Sequence, residues 1–445
     1  MKKFKLNRIF LLAALFAAMT AAQAAPSFSG EVGGCAGIDA DIALGGGDND
    51  FRVPLTGFAA VQANLAEWCV ARGEIALNAT NFDFEDVFSS ARAAIKLNEL
   101  SVVLIRRAFT ASSFFSAFLG SYEQIGSDAF LMRQFGIEPI SSRLAKSAVN
   151  LTGMPILARR GGGLSYIVNF DKAPIATGAY VYVGKSKLTD WTKEKSDLAE
   201  ALENYVRLKM AEEAGEDPDE SSNDNPVWTL NVDARFSFVS NIATLDFLFG
   251  VGTPIQDRYN DSNVVLVIDT ITMHGGINFL LGSKFTHSLL IQAGMKDVVV
   301  KGDGAGILKG DELTFLVEPR INFKKFKTNL TLFALDENNM GEFMYLPHPT
   351  GGALTFYKDD IELKNGFMTL GIHFIGGFDK LRVLDLRESG FDFNNVIVNA
   401  YATPFVDVPI GATARLEAMT QIGVKDITND PSLNVKVTVS ARKKF

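Results

Sequence analysis

The side chains that most often carry catalysis or bind metals are few and widely spaced in this chain. The histidines are His274, His287, His348 and His373. None has the His-x-x-x-His spacing of a zinc site, and Cys35 and Cys69 lie far apart in sequence. The glycine-rich residues 302–306 are not followed by the Lys-Ser or Lys-Thr of a phosphate-binding loop. The sequence therefore predicts no catalytic residues, no cofactor and no metal site.

Two weaker readings of the polar residues stay open. A hydrolase would need a serine or an aspartate beside a histidine, and His274 is the candidate because it lies within an alternating segment. The Asp and Asn residues of 257–263 do not match a calcium-binding loop, and an incidental divalent site is the alternative reading of these residues. We expect no enzyme activity.

The elements that must position any functional side chain are strands. In residues 433–445 the odd positions are apolar except Lys443, and the even positions are polar, which is the period of a half-buried strand. The same alternation recurs along most of the chain, for example in residues 27–44 and 228–238. Further strands are predicted at 91–98, 100–109 and 381–387, whereas residues 353–364 have no clear place in the strand order. The polar faces also carry ions in mid-strand: Arg72, Glu74, Arg92, Lys96, Asp233, Arg235, Asp246, Glu318, Arg320, Arg415 and Glu417.

The two ends of the chain indicate a class of protein. Residues 1–8 carry bases and no acid, residues 9–19 are apolar, and Ala22-Gln23-Ala24 suits a signal peptidase, so residues 1–24 are predicted to be a signal peptide. A chain that ends on an amphipathic strand with Phe445 as its last residue resembles bacterial outer-membrane β-barrels. In that family the terminal aromatic residue is part of the signal read by the assembly machinery.

The resemblance implies an all-β fold. Residues 25–445 would form one antiparallel transmembrane β-barrel of about 16–18 strands in the outer membrane. No later segment approaches the ~20 apolar residues of a transmembrane helix, and short and long connections alternate as they do on the two rims of such a barrel. A soluble sandwich with its apolar faces turned inward is the alternative that strand alternation alone leaves open.

Two long insertions interrupt the strand pattern. Residues 110–162 follow the fifth predicted strand, where general porins have a loop that folds into the lumen, so we expect a partly helical constriction; a surface cap is the alternative. The charges expected at the constriction or in the lumen are Arg106, Arg107, Arg133, Arg143, Arg159, Arg160, Glu123 and Asp128. Residues 185–226, with twelve acids and six bases, are predicted to form an acidic, partly helical extracellular loop.

The expected function is that of a porin-like channel through which small hydrophilic solutes diffuse passively. Arginines facing the lumen would favour anions. The alternative is a structural or adhesive barrel whose long surface loops bind external ligands. The expected partners are outer-membrane lipid and the barrel-assembly machinery, whereas a homo-oligomer and a Cys35–Cys69 disulfide both stay open. The net charge of −8 argues against nucleic acid.

Overall fold

A computed structural model describes the strands and several connections of the chain. The described residues are 27–44, 49–79, 95–108, 110–145, 156–157, 160–186, 227–257, 264–266, 270–283, 286–301, 313–335, 346–379, 397–428 and 431–445. The predicted signal peptide, nearly all of the acidic loop predicted at 185–226, and the strand predicted at 381–387 lie outside these residues.

The described chain is almost entirely β-structure. Its first ten strands are β1 (Ser27–Ala43), β2 (Asp50–Arg52), β3 (Leu55–Ala66), β4 (Cys69–Ala79), β5 (Ile95–Arg107), β6 (Ala111–Gly120), β7 (Gly161–Phe170), β8 (Ile175–Ser186), β9 (Val227–Val239) and β10 (Ala243–Asp257). The remaining ten are β11 (Val264–Leu266), β12 (Ile271–Leu281), β13 (Ser288–Lys301), β14 (Leu313–Asn322), β15 (Lys327–Ala334), β16 (Thr350–Leu363), β17 (Gly366–Asp379), β18 (Ile397–Ile410), β19 (Ala414–Lys425) and β20 (Ser432–Lys444). One short helix, α1 (Ala129–Phe135), lies between β6 and β7. No helix among the described residues is long and apolar enough to cross a bilayer.

Eighteen of the strands close into a ring. Each pairs antiparallel with the next along the chain, apart from the three-residue strands β2 and β11, which pair with the ends of β1 and β10 beyond β3 and β12. The ring is closed by β1 and β20, which are in register from Glu31 opposite Lys444 to Ala43 opposite Ser432. Because every strand of a closed barrel has two neighbours, no edge is left unpaired. The predicted all-β antiparallel barrel is therefore confirmed.

The two faces of the strands are buried in the opposite sense to a soluble protein. On β9, Asn231, Asp233 and Arg235 are 4%, 2% and 3% exposed, whereas Val232 and Phe236 between them are 49% and 40% exposed. Successive side chains of a strand point to opposite faces of the sheet. The polar face therefore lines the inside of the ring and the apolar face covers its outside.

The predicted boundaries need one correction in the first third of the barrel. Residues 91–98 and 100–109 were expected to be two strands, and residues 111–120 to begin the long insertion, but β5 is one strand and Ala111–Gly120 is a strand too. The reason lies in β6, where Phe114 and Phe118 face inward and pack against the apolar cluster inside the ring. An apolar inner face removes the alternation by which the other strands are recognised.

Candidate functional site

The segment between β6 and β7 lies inside the ring. We call residues 121–145 the strap; it contains α1, and after an undescribed stretch Ile156 and Leu157 return to it. The amide of Ile156 donates a 2.8 Å hydrogen bond to the carbonyl oxygen of Ile125. The strap contacts inward-facing side chains of strands from β5 round to β19, so it is a wall-anchored insertion in the lumen.

Apolar side chains of the strap pack against apolar residues on the inner face of the barrel. Strap residues Ile125, Phe130 and Leu131 are fully buried. Inward-facing wall residues of the same cluster are Ile167, Leu248, Leu280, Leu290, Leu316 and Phe333. Opposite the strap and its returning part, β12 and β13 have glycines: a Cβ added to Gly276 would lie 3.0 Å from Ile125, and one added to Gly294 2.7 Å from Ile156. These glycines let the segment approach the wall closely.

Arg235 on β9 is the most enclosed polar anchor of the strap. Its guanidinium donates hydrogen bonds of 2.8 and 2.5 Å to the two carboxylate oxygens of Asp246, and a further one to the carbonyl oxygen of Glu123 in the strap. The guanidinium also lies 3.8 Å from the ring centroid of Phe130. The Arg235 and Asp246 side chains are 0% and 2% exposed. A bidentate pair in such an environment is strongly directional.

Asp128, at the start of α1, links the strap to itself and to β12. Its carboxylate accepts a 2.8 Å hydrogen bond from the amide of Ser141 and a 3.1 Å bond from the side-chain amide of Asn278. Burial raises the pKa of the Asp128 carboxyl above its usual value, and these two hydrogen bonds offset the rise only in part.

Glu318 on β14 holds the far end of the strap. It accepts hydrogen bonds of 2.5 Å from Ser142, 2.7 Å from Thr331 and 2.7 Å from Arg320. Arg320 also donates a 2.9 Å hydrogen bond to the carbonyl oxygen of Ile140. The strap is thus tied to β9, β12 and β14 through side chains that are themselves paired.

Arg133 is paired with acids of both the wall and the strap. It donates a 2.6 Å hydrogen bond to Glu99 on β5 and lies 3.6 Å from Glu123, which also accepts a 3.1 Å hydrogen bond from Tyr180. Burial alone would lower the pKa of the Arg133 guanidinium, but the Glu99 and Glu123 carboxylates outweigh burial and raise it. Arg133 therefore stays charged at the β5 side of the lumen.

Arg143 occupies the opposite edge of the strap. Its guanidinium lies 4.0 Å from Glu417 on β19 and 4.9 Å from the ring centroid of Phe405. Across four ion pairs at or beside the strap, the bases are 17–26% exposed and the acids 1–10%. These pairs are Arg133–Glu99, Arg143–Glu417, Arg320–Glu318 and Arg442–Glu417. The positive partner is therefore the more accessible one from the lumen.

Arg106, Arg107 and Arg160, which were also predicted for the site, lie outside the strap. Arg106 and Arg107 end β5 and are exposed, and Arg106 shares the outward face of that strand with Leu104. Arg160 is exposed just before β7, and Arg159 lies outside the described residues. The structure thus brings together four of the predicted charges, Glu123, Asp128, Arg133 and Arg143, with wall residues.

Phe445 lies at the seam of the ring. It exchanges two 3.0 Å backbone hydrogen bonds with Gly30 on β1, and its ring covers this glycine: a Cβ there would lie 2.5 Å from the ring. The terminal residue is therefore part of the closing strand pair.

His274, the histidine singled out from the sequence, does stand beside an aspartate. Its Nε2 lies 2.7 Å from Asp233 Oδ1 and 3.4 Å from the hydroxyl of Tyr182. His274 and Asp233 are both 2% exposed, so this pair is covered rather than presented to a substrate. Among the described residues, no group of three His, Cys, Asp or Glu side chains is placed to hold a metal ion. Cys35 and Cys69 are both buried thiols.

Sequence reasoning placed the polar wall residues on the correct faces but missed their partners in the strap. Arg235, Asp246 and Glu318 were recognised as mid-strand ions, yet nothing in the alternation shows which segment they hold. Glu99 and Arg442 were not singled out, although each lies on the polar face of its strand. For Arg442 the alternation of residues 433–445 was the available signal, whereas a register shift beside Glu99 puts this residue out of phase with Lys96 and Asn98.

Comparisons with known proteins give fold-level likenesses. No family model and no curated protein matches the chain. Among solved structures, the outer membrane protein OpdK from Pseudomonas aeruginosa is 10% identical, with 94% of this chain and 99% of that chain covered and a TM-score of 0.45. OccAB3 from Acinetobacter baumannii is 9% identical, covering 94% and 100%, with a TM-score of 0.47. OmpF from Salmonella typhi, in complex with daunomycin, is 9% identical, covering 93% and 97%, with a TM-score of 0.42.

Proposed function

We propose that this protein is a transmembrane channel of a bacterial outer membrane through which small hydrophilic solutes diffuse passively. Residues 1–24 would direct it out of the cytoplasm, outer-membrane lipid would surround the apolar face, and the terminal strand with Phe445 would be recognised by the barrel-assembly machinery.

The observation that carries the proposal is the inverted arrangement of the two strand faces. Large apolar side chains are exposed around the outside of the ring, among them Phe247, Phe249, Leu332, Leu354 and Phe374. A soluble protein rarely exposes so much contiguous apolar surface. Lipid, in turn, accepts a sheet only when every backbone group is paired, as it is in a closed ring.

The solute path that fits this geometry runs beside the strap. The strap's ion pairs with Glu99 on β5 and Glu417 on β19 are far apart around the ring, and the sector between them consists of β20, β1, β3 and β4. Its inner face carries small and polar residues such as Gly33, Cys35 and Thr438. Since the exposed members of the strap's ion pairs are bases, we propose a preference for anions.

Planar-bilayer recording of the purified protein tests the channel. We expect steps of stable conductance and a reversal potential in a salt gradient that indicates anion preference. Heat-modifiable migration in detergent, measured on the same preparation, verifies that the barrel is folded. Silence from folded barrel would contradict the channel, and clear cation preference would contradict the selectivity alone.

One observation favours a second candidate, a structural or adhesive barrel whose lumen is plugged. The strap carries an apolar cluster inside the ring, with Ile125, Phe130 and Leu131 fully buried against wall residues. A lumen filled by apolar side chains conducts no ions in the region that they occupy. The same recording separates the two candidates, because a plugged barrel stays silent when folded.

A further inference from the structure

We propose that Arg143 and Arg442 form a binding subsite for a small oxyanion, a carboxylate or a phosphate, between the strap and the wall at β19 and β20. The inference rests on the proposed function, since the subsite would act on solutes that enter the lumen. The channel proposal defines neither the position of a solute-binding subsite in the lumen nor the chemical class of the solute.

Two guanidinium groups share one carboxylate at this place. Arg143 Nη1 lies 4.0 Å from Glu417 Oε1, and Arg442 Nη2 lies 3.8 Å from Glu417 Oε2. In contrast, Arg235 has Asp246 as a bidentate partner. The Arg143, Arg442 and Glu417 trio therefore has a net formal charge of +1.

The contacts of Arg143 leave a hydrogen-bond donor unused. A distance of 4.0 Å is longer than the 2.7–3.2 Å of an N–H···O hydrogen bond. Arg143 Nη1 is buried and hydrogen-bonds to nothing among the described residues. Buried donors are nearly always paired, because an unpaired one loses its hydration without compensation. An oxyanion bound here would accept the hydrogen bond that Glu417 does not.

The side chain of Arg143 is also held in position and is partly exposed. It lies 4.9 Å from the ring centroid of Phe405 and 5.8 Å from that of Tyr357, which are cation–π distances. Its side chain is 26% exposed and that of Arg442 is 17% exposed. A positioned guanidinium presents the planar fork of donors that suits a carboxylate or phosphate.

The test is direct binding of inorganic phosphate to the folded barrel in detergent at low ionic strength. Equilibrium dialysis with radiolabelled phosphate gives the affinity, and heat-modifiable migration verifies the folding of each variant. Arg143→Gln should weaken binding by on the order of tenfold, the effect of losing one charge-assisted hydrogen bond. Glu417→Gln should tighten binding, because it removes the carboxylate that competes for both arginines.

Arg52→Gln is the matched control. Arg52 on β2 pairs with Asp39 at 3.2 Å, and Asp39 lies six residues along β1 from Gly33, the residue opposite Arg442, so this substitution removes the same charge away from the trio. It should leave the phosphate affinity as it is. Acetate should displace labelled phosphate if the subsite recognises oxyanions as a class. Equal phosphate affinities in wild type, Arg143→Gln and Glu417→Gln would overturn the subsite. A failure of acetate to displace labelled phosphate would overturn it as well.

Conductance measured on the same variants separates the two proposals. A wild-type barrel that conducts ions but binds no phosphate overturns the subsite and leaves the channel in place. A folded barrel that is silent, yet loses phosphate binding on Arg143→Gln, overturns the channel and supports the subsite as a ligand site.

Discussion

Polar side chains inside this barrel divide into enclosed anchors and more accessible pairs. Arg235 and Asp246 are fully enclosed and hold the strap against β9, whereas Arg133 and Arg143 lie at its edges with a fifth or more of their side chains exposed. Burial makes an ion pair depend on its partner, since a single remaining charge has no water to solvate it. The two groups should therefore respond differently to substitution.

Removing Arg235 should destabilise the protein strongly. Arg235→Met leaves the Asp246 carboxylate buried without its main partner, and breaking a buried pair in this way costs about 3–5 kcal/mol. Urea unfolding in detergent, followed by tryptophan fluorescence, measures the loss. The double variant Arg235→Met/Asp246→Asn removes both charges and should recover part of it. A double variant as unstable as the single one would show that the ion pair is not what holds the strap.

Asp128 should make the stability of the strap depend on pH. Because burial raises its pKa in the folded protein, the folded state binds more protons than the unfolded state between the usual carboxyl value of about 4 and the raised value. The free energy of unfolding from this group is then highest below about pH 4 and falls as pH rises through that window.

Asp128→Asn isolates this pH effect. The variant has no titrating group, so its unfolding midpoint should lose that part of the pH slope. It should also show a pH-independent decrease, because Ser141 and Asn278 donate to different carboxylate oxygens and the amide has only one oxygen. Urea midpoints measured at several pH values give the difference between the two proteins. Parallel curves for wild type and variant would contradict the assignment.

The strands could be predicted from the sequence more completely than the strap. Strands such as β9 and β20 were predictable because their inner faces are polar and their outer faces apolar. β6 was not, since the strap covers its inner face and phenylalanines replace the polar residues there. The helix of the strap has only seven residues, too few to show a clear period. The strap is buried by contacts with the barrel wall, so its own sequence shows no clear helical or strand period.

The closing strand pair depends on a glycine opposite the terminal aromatic residue. A side chain at Gly30 would meet both the ring of Phe445 and the carbonyl oxygen of Ala60, each at 2.5 Å from its Cβ. Gly30→Val should therefore slow closure of the ring and lower the fraction that migrates as folded barrel. Gly376→Val is the control, because a Cβ at Gly376 would meet nothing within 4 Å. Equal folded fractions for the two variants would show that the fit of Phe445 on β1 is unimportant.

At the scale of the whole molecule, the number of strands was predicted more accurately than the strands themselves. The expected count of 16–18 includes the observed ring of eighteen, but one observed strand, β5, had been divided into two and β6 had been missed. β16 had no clear place in the predicted order either. The total agrees because the strand gained by dividing β5 offsets the missed β6.

The strap lies inside the ring but takes no part in its closure, so the barrel should survive without it. Gly120 and Gly161 are paired neighbours at the ends of β6 and β7, and a short turn can join them in place of residues 121–160, which include the strap. This deletion should leave heat-modifiable migration intact, with a lower urea midpoint because Leu248, Leu280 and other inward apolar residues become hydrated.

The deletion should also raise the conductance severalfold, because the lumen loses its largest obstruction, and it should weaken anion preference, because Arg133 and Arg143 leave with the strap. Unchanged conductance in a folded deletion variant would place the solute path away from the strap. A variant that conducts when the full-length barrel is silent would instead identify the strap as a plug, which is the arrangement that the adhesive alternative requires.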